Sequence, residues 1–140
     1  MRRLGLLAAP ALMLTATLGV RPQNRTVWDG VYTDEQATRG EGLYADHCVR
    51  CHGANMQGNG ELVKPLTGPT FKSTWNGVSM GAMFERVRLS MPQDKPATLT
   101  RQEVADLLAF ILQANKFPAG KTELVRQTDM LNAITFQSEK

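Results

Sequence analysis

The pentapeptide CVRCH at residues 48–52 constrains this chain more than any other feature of its sequence. It contains both cysteines and one of the two histidines. At spacings of three and four residues, Cys48, Cys51 and His52 project from one side of a helical turn. Three kinds of chemistry use such a group: a redox dithiol, half of a zinc site, or covalent attachment of a larger cofactor.

The rest of the sequence favours covalent attachment of haem c, for which C-x-x-C-H is the recognised pattern. A thioredoxin-like dithiol requires a βαβ unit, and the chain shows no alternating strand pattern. Zinc requires about four ligands, usually in two separated pairs, but every Cys and His lies between residues 47 and 52. A Cys48–Cys51 disulfide would constrain little chain. We therefore predict that both cysteines bind one haem c and that His52 binds its iron, with the dithiol and the zinc site as the remaining alternatives.

The second axial ligand is predicted to be a methionine, because His47 lies too near the attachment pentapeptide to reach the opposite face of the same haem. A His–Met pair is typical of electron-transfer haems. Met91 stands in a loop before a proline, which favours an extended backbone. It follows His52 by 39 residues, enough chain to pass round a haem edge. Met80 and Met83, whose default role on an apolar helix face is core packing, are the alternatives, together with an open iron position.

Two further residues are predicted to contact the cofactor. The second ring nitrogen of a ligating histidine is usually held by a carbonyl group. For His52 we expect this carbonyl from the segment Pro65–Gly68, with Pro65 as the first candidate. Trp75 is predicted to lie against the haem or to donate to a propionate, with packing in the protein core as the alternative.

The first twenty residues have the pattern of a secretory signal. Arg2 and Arg3 precede an uncharged apolar run from Leu4 to Val20, which predicts export and cleavage, with retention as a membrane anchor as the alternative. The predicted location is therefore periplasmic or secreted. Removing residues 1–20 lowers the net charge from +3 to +1, since only the two arginines are lost. This gives no argument for nucleic-acid binding, and membrane contact is expected only if the segment is retained.

Capping residues and apolar spacing predict an all-α fold of three or four helices and long loops. A capping box at Thr33–Gln36 opens a helix to about Asp46. Ser79 caps a short helix that ends before Pro92, and Thr100 with Glu103 opens a third. The apolar positions of that third helix recur at helical spacing: Val104, Leu107, Leu108, Ile111 and Leu112.

The remaining segments are predicted to be loops or to pack on this helical body. Residues 53–70 are rich in Gly, Asn and Pro and are predicted to be a loop. The expected organisation is a signal or anchor at 1–20, an extended lead-in at 21–32, one domain at 33–120, and a tail at 121–140 that packs on it. Trp28 and Tyr32 are expected to fix the lead-in. The tail is expected to form one turn and to bury Leu131, Ile134 and Phe136.

These residues resemble a class I c-type cytochrome over roughly Trp28–Phe136. The resemblance is carried by RGEGLYADHCVRCHG (39–53), PLTGPTF (65–71), SMPQDKP (90–96) and LTRQEVADLLAFIL (99–112). The chain is similar in particular to small bacterial monohaem domains that accompany periplasmic quinoprotein or flavoprotein dehydrogenases.

The resemblance implies a cytochrome c fold wrapped around one covalently attached haem. It places the attachment on Cys48 and Cys51, the proximal ligand on His52 and the distal ligand on Met91. It also implies contact between the first and last helices, with Gly40 and Tyr44 against Ala109 and Phe110. Two positions depart from the family pattern: Ala97 stands where relatives often have glycine, and Pro65 and Leu66 are adjacent where many relatives have one residue between them.

The function implied is that of an electron carrier and not an enzyme. It would exchange single electrons with redox proteins such as a dehydrogenase, an oxidase or another cytochrome. The alternative is the haem subunit of a periplasmic dehydrogenase complex. A gas sensor or a peroxidase-like protein requires an open iron position, against which Met91 argues.

Overall fold

Helices make up most of the regular structure in residues 25–140, the part of the chain that the computed structural model describes. In chain order the elements are β1 (Arg25–Thr26), a 3-10 turn (Val27–Asp29), α1 (Asp34–His47), α2 (Val49–His52), α3 (Gly68–Trp75), α4 (Met80–Ser90), α5 (Arg101–Ala114), α6 (Thr128–Leu131) and β2 (Ile134–Thr135). The all-α prediction is confirmed, although residues 25–140 contain six α-helices where three or four were predicted, because α2 and α6 are four-residue turns and α3 lies partly in a predicted loop. The signal or anchor predicted at residues 1–20 lies outside the described residues, and none of the helices between 25 and 140 is long and apolar enough to cross a membrane.

The first helix begins at its predicted residue, but its predicted capping box is only half correct. The hydroxyl of Thr33 accepts a hydrogen bond from the backbone N–H of Gln36 (3.2 Å). The Gln36 side chain does not return to Thr33. It is fully buried, donates through Nε2 to the Leu124 carbonyl (3.1 Å) and accepts from the Leu124 N–H (2.6 Å). Backbone groups of the tail need partners where they are buried, and this need outweighs the local cap.

The caps of the two later helices are confirmed. Ser79 accepts from the N–H of Ala82 (3.1 Å), and α4 ends at Ser90, before Pro92. Thr100 and Glu103 form a complete capping box, with bonds of 3.3 and 2.7 Å between each side chain and the other residue's N–H.

Helix α3 begins inside the segment that was predicted to be a loop. It starts at Gly68, two residues before the expected end of the loop at Thr70. A proline in the first turn is compatible with a helix, since its missing N–H has no partner there in any case. Phe71 is the only buried residue of α3, so this short helix has little apolar periodicity by which to recognise it.

Helices α1 and α5 cross in close contact at Gly40. A Cβ at this position would overlap the carbonyl group of Asp106 and lie 2.9 Å from the Cβ of Phe110. One turn later, the rings of Tyr44 and Phe110 lie 5.6 Å apart. Ala109 is fully buried in the same core. The contact implied by the resemblance is therefore present, and it depends on the missing side chain of Gly40.

The lead-in and the tail pack against each other. Strands β1 and β2 pair in parallel, with Arg25 opposite Ile134. The indole N–H of Trp28 donates to the Gln137 carbonyl (2.9 Å), and the Tyr32 hydroxyl donates to the Phe117 carbonyl (2.7 Å). The apolar tail residues expected to pack on the body are all buried: Leu131, Ile134 and Phe136.

We expect Gly40→Ala to lower the free energy of unfolding by about 2 kcal/mol, because the added methyl group must force α1 away from α5. Gly42→Ala is the matched control, since Gly42 lies in the same helix with no atom near its missing Cβ. It should stabilise by about 0.5–1 kcal/mol through helix propensity alone. Denaturant unfolding measures both. Equal stabilisation by the two substitutions would contradict the close crossing.

Candidate functional site

The pentapeptide CVRCH forms one helical turn directly after α1, which we call the attachment turn after its predicted role. The N–H of Cys48 donates to the Tyr44 carbonyl (2.9 Å), and the N–H groups of Cys51 and His52 both donate to the Cys48 carbonyl (3.1 and 2.9 Å). The Tyr44 hydroxyl donates to the carbonyl of Gly53 (2.7 Å) and so ties the end of the turn to α1. Three potential ligands are thus held at helical spacing on a turn that is fixed at both ends.

Both cysteines are free thiols in different surroundings. Cys48 is half-buried against the hydrophobic core, whereas Cys51 is exposed. Burial, and secondarily the nearby Cys51, raises the pKa of Cys48 to about 11, so this thiol stays protonated at neutral pH. One thiol therefore faces the interior and the other remains accessible.

The imidazole of His52 is held through one of its two ring nitrogens. Its Nδ1 lies 3.2 Å from the carbonyl oxygen of Lys64, which can only accept, so Nδ1 carries the proton. Nε2 is then the nitrogen left with a free lone pair. Burial lowers the pKa of His52, although the bond to Lys64 acts against this, so the ring is neutral at neutral pH and able to bind a metal. This acceptor was expected within Pro65–Gly68, with Pro65 first. That prediction is wrong by one residue, since the acceptor is the carbonyl of Lys64.

The Gly53–Thr67 loop folds back on itself and thereby carries Lys64 to the histidine. The N–H of Gly58 donates to the His52 carbonyl (2.9 Å), and the N–H of Leu66 donates to the Met56 carbonyl (2.9 Å). Gly58 has a positive φ of 69°, and a Cβ there would overlap the backbone carbonyl of Val63. The position of the Lys64 carbonyl thus depends on backbone turns that cannot be predicted from any single side chain. Pro65 itself is half-buried.

Met91 lies directly after α4 in extended backbone, as its position before a proline predicts. Its φ and ψ are −122° and 148°, and its side chain is half-buried. Met80 and Met83 are instead buried in the core, at 0% and 2% exposure. Met91 is therefore set apart from the methionines that pack the interior.

An ion pair joins the attachment turn to the segment that carries Met91. Nη2 of Arg50 lies 2.7 Å from Oδ2 of Asp94, and both side chains are exposed to solvent. These residues are 44 positions apart, and nothing in the sequence around either one predicts that they form a pair. The structure thus brings together the two segments that contain the predicted iron ligands.

Trp75 ends α3 and is half-buried. Its ring centroid lies 6.4 Å from that of the buried Phe71, with the planes inclined by 50°. The packing contact named as the alternative is present on one side of the indole. Contact with a haem on the other side stays a prediction.

One family comparison identifies the class of the protein. The family model described as "Cytochrome C oxidase, cbb3-type, subunit III" matches residues 35–111, which is more than half of the chain and includes both CVRCH and Met91. The chain therefore belongs to this family, and it contains a class I c-type cytochrome domain. Such a domain implies haem c and electron transfer with redox protein partners. No curated protein and no solved structure gives a significant match.

We expect Ala97→Gly to stabilise the loop that follows Met91. Ala97 is exposed with a φ of 58°, a left-handed conformation that costs a residue with a Cβ about 1 kcal/mol. Glycine should remove that cost and raise the free energy of unfolding by up to about 1 kcal/mol. Ala133→Gly is the control: Ala133 is exposed without a positive φ, so its substitution should destabilise. Thermal unfolding distinguishes them, and a destabilised Ala97→Gly would contradict the prediction.

Proposed function

We propose that the chain is a monohaem c-type cytochrome that carries single electrons between redox proteins, through a haem iron ligated by His52 and Met91. The observation that carries this proposal is the attachment turn. It presents two free thiols together with a neutral imidazole whose Nδ1 proton is held by the Lys64 carbonyl. This donor set fits haem c, since it supplies two groups for thioether bonds and one nitrogen for the metal.

Each residue of the site has a distinct part in the proposal. Cys48 and Cys51 would attach the cofactor, and the Lys64 carbonyl orients His52 so that Nε2 is free for the iron. Met91, which unlike Met80 and Met83 lies outside the packed interior, would be the second ligand. When bound, the haem would alternate between its ferric and ferrous states and so carry one electron. A His–Met pair leaves the iron no open position for a substrate, which favours electron transfer over catalysis.

The proposed partners are a dehydrogenase, an oxidase or another cytochrome, met in the periplasm or outside the cell. Two features support this location. The apolar N-terminal segment has the pattern of an export signal. Attachment of haem c also belongs to the compartment outside the cytoplasm. The charges of residues 25–140 balance, with 13 Lys and Arg against 13 Asp and Glu, which supports brief docking through a small contact area instead of long-range attraction. Pro65 and Trp75 stay candidate haem contacts.

Covalent attachment is tested with protein produced in cells that mature c-type cytochromes. We expect the purified chain to show a reduced c-type absorption spectrum and to keep its haem on a denaturing gel, because thioether bonds survive unfolding. The Cys48→Ser/Cys51→Ser double variant should lose haem staining, and each single variant should retain one bond. A wild-type chain without haem would contradict the proposal and would favour a redox dithiol or a zinc site instead.

We expect Met91→Ala to abolish the weak far-red sulfur-to-iron absorption band of the oxidised protein. The substitution should also lower the reduction potential, because a methionine ligand raises it, and should allow the reduced protein to bind carbon monoxide. Met130→Ala is the matched control, since Met130 is 56% exposed on the tail. Rapid carbon monoxide binding by the reduced wild-type protein would show an open iron position and would contradict the assignment of His52 and Met91 as the two iron ligands.

A second candidate function is that of a redox subunit in a larger complex, such as a periplasmic dehydrogenase. The name of the matched family, which describes an oxidase subunit, favours a complex of some kind. A stable complex of fixed stoichiometry, purified from the native cell, would support this function. A monomer that exchanges electrons equally with several partners would support the free carrier.

A further inference from the structure

We propose that Asn115 is a positioning residue for the proximal ligand: it fixes the backbone on which Lys64 holds His52 and thereby tunes the iron. This inference rests on the proposed function, since it concerns His52 as an iron ligand. Asn115 directly follows α5 and lies beyond residues 35–111, the part of the chain that the family model matches.

Asn115 is a buried amide that uses both of its polar atoms. The residue is only 3% exposed. Its Nδ2 donates to the carbonyl of Ile111 in its own helix (2.9 Å) and to the carbonyl of Leu66 in the loop (2.9 Å). Its Oδ1 accepts from the N–H of Gly68 (3.1 Å). Two of its three side-chain bonds therefore reach across to the segment Leu66–Gly68.

The bond to Gly68 replaces a missing helix cap. Thr67 precedes α3 in the N-cap position, but its side chain makes no capping hydrogen bond. The N–H of Gly68 is one of the groups at a helix start that have no partner within the helix. Asn115 supplies the acceptor from a distant part of the chain and so joins the start of α3 to the end of α5.

Only one residue lies between the segment that Asn115 holds and the carbonyl that holds His52. That residue is Pro65, whose ring fixes its φ near −65°. The backbone between Lys64 and Leu66 therefore has little freedom to absorb a displacement. Movement of the Leu66 carbonyl is expected to pass to the Lys64 carbonyl, which accepts from Nδ1 of His52 at 3.2 Å.

The hydrogen bond to Nδ1 affects the chemistry of the ligand. A carbonyl that accepts this proton fixes the tautomer and makes the imidazole a stronger electron donor through Nε2. A stronger donor stabilises ferric iron and lowers the reduction potential. Loosening the Lys64 carbonyl by loss of Asn115 is thus expected to raise the reduction potential.

The chain offers a matched control for the loss of a buried amide. Gln36 is fully buried, and its side chain makes two hydrogen bonds with the backbone of Leu124, just as Asn115 makes two with the segment Leu66–Gly68. It joins α1 to the tail, however, and makes no bond to the Gly53–Thr67 loop. Gln36→Leu removes a similar amide without releasing Lys64.

The test compares Asn115→Leu and Gln36→Leu in the haem-loaded protein. Both variants should unfold at a lower denaturant concentration than the wild type. Only Asn115→Leu should raise the reduction potential and speed solvent exchange of the His52 Nδ1 proton, followed by nuclear magnetic resonance. If Asn115→Leu does not fold, Asn115→Ser, which is smaller and retains one hydroxyl donor, decides the question with the same two measurements.

Two outcomes would overturn the inference. Asn115 variants that lose stability but keep the wild-type potential and exchange rate would show a purely structural role. Equal shifts in the Gln36 and Asn115 variants would show that any buried amide has the same effect. Neither result would contradict the proposed function, provided that the wild-type protein binds haem. A wild-type protein without haem would contradict the proposed function itself.

Discussion

The close crossing of α1 and α5 at Gly40 is the contact on which the rest of the structure depends. A side chain at Gly40 would overlap the backbone of Asp106, so the approach of the two helices is set by van der Waals contact between main chains. The attachment turn follows α1 without a break, and Asn115 follows α5 in the same way. The crossing therefore fixes the relative positions of the CVRCH turn and of Asn115, which holds one end of the Gly53–Thr67 loop.

Hydrogen bonds between side chains and backbone groups connect α1 and α5 to the candidate site. Tyr44 holds the Gly53 carbonyl, Asn115 holds Leu66 and Gly68, and the Lys64 carbonyl holds His52. Side-chain groups thus position a loop that is rich in glycine and has no regular structure of its own. Such a loop has a large conformational entropy when free, so the number of fixed points decides how well it orients the His52 imidazole, the predicted iron ligand.

Local signals in the sequence were sufficient for much of the fold. The caps at Ser79 and Thr100 depend on residues three positions apart, and the structure shows both. Predictions of helix caps failed where a residue distant in sequence supplied or took the hydrogen bond. Gln36 bonds the tail instead of completing its own cap, and α3 begins with a cap supplied by Asn115. The predicted partner of His52 was displaced by one residue, because a carbonyl group belongs to every residue and leaves no mark in the sequence.

The sequence by itself indicated the cofactor and the class of protein, and the family match shows that class. The cysteine and histidine residues of CVRCH lie within one helical turn, so their spacing alone fixes their geometry. Only the tertiary structure decided how the ligands are supported. The Arg50–Asp94 pair, the bond between His52 and the Lys64 carbonyl, and the bonds of Asn115 to Leu66 and Gly68 all join residues 12 to 49 positions apart. Such contacts arise from the packing of whole elements, and no local periodicity or spacing encodes them.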